Sequence, residues 1–294
     1  MIYLFTVSLV WAFSFGLIKG NLSGLDSSFV SFCRMAISLL VFLPFLRLRG
    51  LRPLVGVKLA ATGAVQFGLM YVTYIHAFRF LPAHHVAICT ILTPIYVTLI
   101  NDALARRFRA GRVAAALLSV AGAWVIVRGD TGDVALRTGF FLLQASNLCF
   151  ASGQVFYRRI MRSEPALRDD RVFALLYLGA FAVTAACAAF TVDLSGIGVT
   201  ARQAWTLLYL GVLASGVCFF LWNLGAKRTK AGMLAVMNNL KIPLAVACSL
   251  LFFGEEAEVP ALLAGGGIIA AALLLDGYFA RRNAIPGPSE ARKE

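Results

Sequence analysis

Long apolar runs broken by short polar punctuation make up almost the whole chain. Ten can be marked, at 2–20, 27–46, 57–78, 82–101, 112–128, 138–158, 172–191, 204–225, 231–253 and 260–279. About 20 apolar residues in a helix cross the hydrocarbon core of a bilayer, so the pattern predicts an all-α integral membrane fold of ten transmembrane helices. Met1 leads into the first run without a basic n-region, so that run is read as a span rather than a cleaved leader. The tail from Asn283 to Glu294 mixes charges with Pro286, Gly287 and Pro288 and is expected to be disordered.

Composition agrees: of 294 residues 60% are hydrophobic and 14% charged, with mean hydropathy +0.81, against about 25% charged in soluble domains. The net charge of +13 does not imply a nucleic-acid partner, because its placement has another cause. With the N-terminus inside, cytoplasmic loops and tail hold twenty Lys and Arg, among them Arg47, Arg52, Lys58, Arg106, Arg158, Arg159, Lys227 and Arg281. The outer loops hold Lys19, Arg79, Arg128, Arg137 and Arg202. That bias predicts cytoplasmic termini. Six cysteines stand singly in apolar runs with no CxxC pair, so they are read as small buried hydrophobes. His76, His84 and His85 have no acidic or cysteine neighbour. A metal site is not expected, and an exposed or pH-sensitive rim is the reading for them.

The two halves look like repeats. A shift of 149 places Tyr74 on Asn223, Ala77 on Ala226, Thr90 on Asn239 and Pro94 on Pro243 without a gap, and Ser14 falls on Ser152 at a shift of 138. Five spans per half is an odd number, so the second half, 131–282, is expected to lie inverted relative to the first, 1–130. Inverted repeats with broken helices at matching places point to a transporter's central site.

The stretch Ala231–Phe253 holds Asn238, Asn239, Lys241 and Pro243 near its midpoint. Pro243 frees the carbonyl of Asn239 from its helical partner, and Pro94 does the same for Thr90. All Asp and Glu lie in loops, at span ends or in the tail, so no carboxylate stands at mid-depth beside Lys241. A buried cation there is costly and usually faces a cavity. Lys241 is therefore expected to meet a substrate carboxylate, the competing reading being a structural lysine bonded to carbonyls or snorkelling to an interface. Trp11, Ser14, Tyr74, Thr93 and Tyr96 are expected on the cavity wall, with Asn223 paired to Tyr74 by the repeat. Asn147, Ser152 and Gln154 either bind substrate or pack helices. Trp124, Trp205 and Trp222 lie nearer span ends and read as interfacial. Gly265, Gly266 and Gly267 give the tenth span a small face for helix packing or a dimer contact, so a monomer or weak dimer is expected.

These features resemble the EamA-type branch of the drug/metabolite transporter superfamily, over nearly the whole chain. The residues carrying the resemblance are Trp11-Ala12-Phe13-Ser14-Phe15-Gly16, Arg34, Leu92-Thr93-Pro94, Leu240-Lys241-Ile242-Pro243 and Phe253-Gly254-Glu255. Asn101-Asp102-Ala103-Leu104 departs from the family's LxGE. The resemblance implies a bacterial inner-membrane exporter of small metabolites, nearest to exporters of aromatic and other neutral amino acids. It also implies a cavity lined by the first, third, fourth, sixth, eighth and ninth helices, and a structural Arg34.

Alternating access then bends the fourth and ninth spans at Pro94 and Pro243. The runner-up is an exporter of amines, drugs or sugar-linked anions. An intramembrane enzyme would need a metal cluster, a Ser/His pair or paired carboxylates at one depth, and the sequence offers none. No cofactor is expected, and the partners are a small molecule and membrane lipid.

Overall fold

Helices account for nearly all of the computed structural model, which describes residues 2–106, 110–127, 134–193, 197–229 and 231–254 and six isolated helical positions between 260 and 274. Among the described residues there is no strand. Among the described residues nine continuous helices follow the expected spans: α1 Ile2–Leu22, α2 Ser27–Phe45, α3 Pro53–Ala77, α4 Ala83–Leu104, α5 Ala110–Val127, α6 Val134–Ser163, α7 Asp169–Thr191, α8 Ala201–Arg228 and α9 Ala231–Phe252. Seven of them are long and apolar enough to cross a membrane, and α9 carries a further apolar stretch, Met237–Phe252. The protein is a multi-pass, all-α membrane protein. Most of the expected tenth span, including Gly265 and Gly266, the loop bearing Glu255, Glu256 and Glu258, and the tail lie outside the described residues.

α1 packs against α9, α4 and α8, while α3 packs against α6 and α7, and α2 against α7 and α8. Glycine sets the closest approach. A Cβ on Gly63 would lie 1.9 Å from the Leu176 carbonyl oxygen, and one on Gly179 would lie 1.8 Å from that of Ala60. Neither can exist, so α3 and α7 meet backbone to backbone through the missing side chains, as small residues allow in membranes.

Two helices loosen to π geometry in mid-span, at 64–69 in α3 and 210–217 in α8. The 149-residue shift lays the first over most of the second. A π segment breaks the regular ladder, and a buried carbonyl without a partner is costly. In α8 other helices supply the donors. Ser38 Oγ donates to Gly211 O (2.8 Å), Trp11 Nε1 to Ala214 O (2.9 Å), and Tyr177 Oη to Ser215 O (2.6 Å) and Gly216 O (2.8 Å). Four carbonyls of one π segment thereby tie α1, α2 and α7 to α8.

Two sequence expectations change. Trp222 is 1% exposed and donates from Nε1 to Gln154 Oε1 at 3.0 Å, so it is interior rather than interfacial. α8 runs on to Arg228, which leaves Trp222 a turn and a half inside its end. His84 is buried as well, not on an exposed rim. Trp205, 71% exposed, stays at the surface as expected.

Candidate functional site

Pro94 cannot donate a backbone N–H, and α4 accordingly tightens to a 3-10 turn at Thr90–Leu92 before resuming at Thr93. The carbonyl of Thr90 that this frees accepts from Asn238 Nδ2 of α9 at 3.4 Å. The same amide nitrogen reaches Asn239 Oδ1 at 3.3 Å, and its oxygen accepts from Lys241 Nζ at 3.1 Å. The break in α4 is thus bridged to the buried lysine of α9 by one asparagine. Lys241, 6% exposed, also stands 5.0 Å from the centroid of the Trp11 ring, within cation–π range.

Lys241 opens into a central cavity of about 70 Å³, space for a handful of waters. Its wall combines Trp11, Ser14 and Phe15 of α1 with Met70, Tyr71 and Tyr74 of α3, Thr90 and Thr93 of α4, and Ser146, Asn147 and Phe150 of α6. Phe219 of α8, Lys241 of α9 and Arg34 of α2 complete it. The apolar part is continuous: Trp11 and Phe219 lie 5.0 Å apart, Trp11 and Phe150 6.3 Å, Tyr71 and Phe219 5.9 Å. Among the described lining residues there are two cations and no carboxylate.

Of the residues expected at the site, Lys241, Trp11, Ser14, Tyr74 and Thr93 line this cavity. Ser14 Oγ bonds back to Val10 O at 2.7 Å. Asn238 and Asn239 stand behind Lys241 rather than on the wall. Tyr96 lies off the wall too, donating to Gln144 Oε1 at 3.0 Å. Thr93 donates to Asn147 Oδ1 at 3.4 Å, and Asn147 Nδ2 donates to Cys89 O at 2.9 Å, so the polar groups of α6 hold the broken part of α4. Gln154 and Asn223 sit elsewhere, in a layer nearer the end that carries Arg52, Lys58, Arg159 and Lys227. Gln66 Nε2 donates to Asn223 Oδ1 at 3.2 Å, beside the Trp222–Gln154 bond. Pro243 stays within α9, which is helical on both sides of it.

Sequence reasoning missed Tyr71, Phe219, Ser215 and Gln66. Tyr71 sits three residues before Tyr74, hence on the same helical face. That spacing was the available signal. Arg34 was expected chiefly as a structural charge, with substrate contact the minor reading, and it is on the wall.

The Gln66 layer is tightly closed. A Cβ on Gly153 would lie 2.0 Å from Gln66 Cβ. Beyond it a cleft of about 840 Å³ opens between α3 and α6, with Arg52, Lys58 and Arg159 at its rim and Arg52 paired to Glu164. At the opposite end a cleft of about 400 Å³ is bounded by Lys19, Asp26 and Arg79, with Lys19 Nζ donating to Phe78 O at 2.7 Å.

A multi-pass helical bundle with a largely apolar central cavity that carries two cations, and clefts toward both ends, is built as a membrane transporter. The EamA-like transporter family model matches residues 1–128 and 137–275, and the chain belongs to that family. It is 38% identical to a protein of Salmonella typhimurium named biotin transporter, over 93% of this chain and 91% of that one. A probable biotin transporter of Pseudomonas aeruginosa is 40% identical over 93% of this chain and 96% of its own. A WAT1-related protein of Arabidopsis thaliana is 24% identical over 88% and 68% respectively. A solved crystal structure shares the fold with TM-score 0.63 at 20% identity, covering 94% of this chain and 98% of that one.

Proposed function

We propose that this transporter carries a small amphipathic monocarboxylate, biotin first among candidates, by alternating access through the central cavity. The observation that carries the reading is Lys241: a buried cation on the cavity wall whose partners among the described residues are one amide oxygen and one indole face. A carboxylate is the partner such a group lacks. Trp11, Phe150 and Phe219 give the apolar surface for the rest of the molecule, as small-molecule pockets generally do. The relatives' names point the same way. A zwitterionic amino acid fits less well than the sequence led one to expect, because its ammonium finds two cations and no carboxylate among the described lining residues. Amines are disfavoured on the same ground.

In this reading 1–130 and 131–282 are inverted repeats in a bacterial inner membrane. Both termini are cytoplasmic, and the basic cleft between α3 and α6 is the cytoplasmic vestibule. The layer of Gln66, Asn223, Gln154 and Trp222 is the gate between vestibule and cavity. The cavity is contracted here, so substrate enters only as α3 and α6 part. Pro94 and Pro243 supply the flexible points in α4 and α9.

The test is counterflow. Proteoliposomes loaded with unlabelled biotin should accumulate labelled biotin saturably, with phenylalanine and tyramine failing to compete. Exchange of amino acids without exchange of biotin would overturn the reading.

A further inference from the structure

Arg34 is the largest buried charge that this mechanism leaves unused. It is 2% exposed, in the middle of α2. Nε donates to Ser215 Oγ at 3.0 Å, Nη2 donates to Tyr71 Oη at 2.8 Å, and the guanidinium carbon stands 4.6 Å from the Tyr71 ring centroid. Tyr71 Oη and Ser215 Oγ are themselves 2.9 Å apart. The side chain is thus held by α3 and by the π segment of α8, in a fixed plane. Nη1 is buried and has no hydrogen-bond partner among the described residues, while the residue lines the same cavity as Lys241. A guanidinium carries five donors and no acceptor. A buried donor left unpaired costs free energy, so a residue held this firmly with a nitrogen to spare is arranged for an acceptor that comes and goes.

The two cations line the same cavity and are linked by a run of aromatic rings: Lys241 over Trp11, Trp11 against Phe219, Phe219 against Tyr71, and Tyr71 under Arg34. Resting on the monocarboxylate reading above, the geometry points to a substrate with acceptors at both ends of an apolar body. One end is the carboxylate, at Lys241. The other is a neutral ring carbonyl of the urea or lactam type, received by Nη1 of Arg34. A neutral acceptor suits Arg34 because it takes the hydrogen bond without bringing a second charge out of water. Arg34 is then a specificity residue, selecting the head of the substrate while Lys241 selects its tail.

Biotin and 2-iminobiotin separate the two ends. They share the carboxylate chain and the bicycle, but iminobiotin replaces the ring carbonyl by a group that is cationic at neutral pH and offers no acceptor. Binding of each would be measured on the purified full-length protein, wild type and Arg34→Gln, with thermal unfolding alongside. The wild type should bind biotin about 10- to 100-fold more tightly than iminobiotin, the range of a hydrogen bond to a charged group. In Arg34→Gln the biotin affinity should fall by a similar factor and the ratio between the ligands collapse toward one.

A purely structural arginine predicts equal losses for both ligands with the ratio kept, and that result would overturn the assignment. Should Arg34→Gln fail to fold, the wild-type ratio decides. A ratio near one rejects the proposal. A large ratio that narrows in Tyr71→Phe, which removes the hydroxyl holding Nη2, supports it. If the wild type binds a labelled monocarboxylate such as lipoate but no biotin, the choice of biotin falls. Biotin binding with an unchanged ratio in Arg34→Gln rejects only the role of Arg34.

Discussion

Lys241 and Trp11 meet through the face of the indole, with the ammonium 5.0 Å from the ring centroid. The indole N–H is turned away, to the Ala214 carbonyl 2.9 Å distant. One tryptophan thus shelters the cavity's lysine and, from its edge, closes the loosened part of α8. The two functions are separable by mutation.

Lys241→Met keeps most of the volume and removes the charge. Initial transport rates of a monocarboxylate should fall about 10- to 150-fold, the range of a lost hydrogen bond to an ionised group. Thermal stability of the empty protein should hold or rise, because a buried cation without an acid is itself costly. Measuring proteoliposome rates beside melting curves checks both halves. Unchanged transport would remove Lys241 from the site.

Trp11→Phe retains a ring for Lys241 but leaves the Ala214 carbonyl unpaired, a loss of about 1–3 kcal/mol. Its melting temperature should drop while substrate Kd changes little. Trp11→Ala also empties ring volume against Phe219 and Trp222, which in cores costs about 3–5 kcal/mol, and should impair both. Equal behaviour of the two variants would show that the N–H, not the ring, carries the stability.

Asn223→Ala tests the gate. The residue lies off the cavity wall and holds Gln66 at 3.2 Å, so substrate Kd should stay within about threefold while counterflow changes rate, the signature of a residue acting on a conformational step. A large change in Kd with an unchanged rate would return Asn223 to the binding site.

Gly63→Ala and Gly179→Ala drive a methyl into facing backbone at 1.9 and 1.8 Å. Either should lower the melting temperature sharply or abolish folding, beyond the usual overpacking cost of about 1–3 kcal/mol. Gly198→Ala, with nothing within 4 Å, serves as the neutral control in the same unfolding assay.

Orientation is tested with single cysteines placed in a background where the six native ones are replaced. Ser163→Cys, at the basic end of α6, should react with a membrane-impermeant thiol reagent only after the cytoplasmic face is exposed. Val199→Cys should react in intact cells. The reverse pattern would invert the topology proposed from the loop charges.

The sequence by itself determined the membrane class, the positions of α1 to α9 and the kink at Pro94. Each follows from local chemistry: the length of an apolar run, or a proline's missing N–H. It also singled out Lys241, because a cation at mid-span with no acid at its depth is visible without coordinates. It misplaced Gln154, Asn223 and Tyr96 relative to the cavity, because helical periodicity shows which residues share a face but not what that face meets.

Only the tertiary structure decided that Arg34 shares a cavity with Lys241, since its plane is fixed by Tyr71 and Ser215 from helices far away in the chain. The π segments were equally invisible, because their energetic support comes from Ser38, Trp11 and Tyr177 on three other helices. Apolar length is written locally in the chain. The pairing of buried polar groups exists only once the helices have packed.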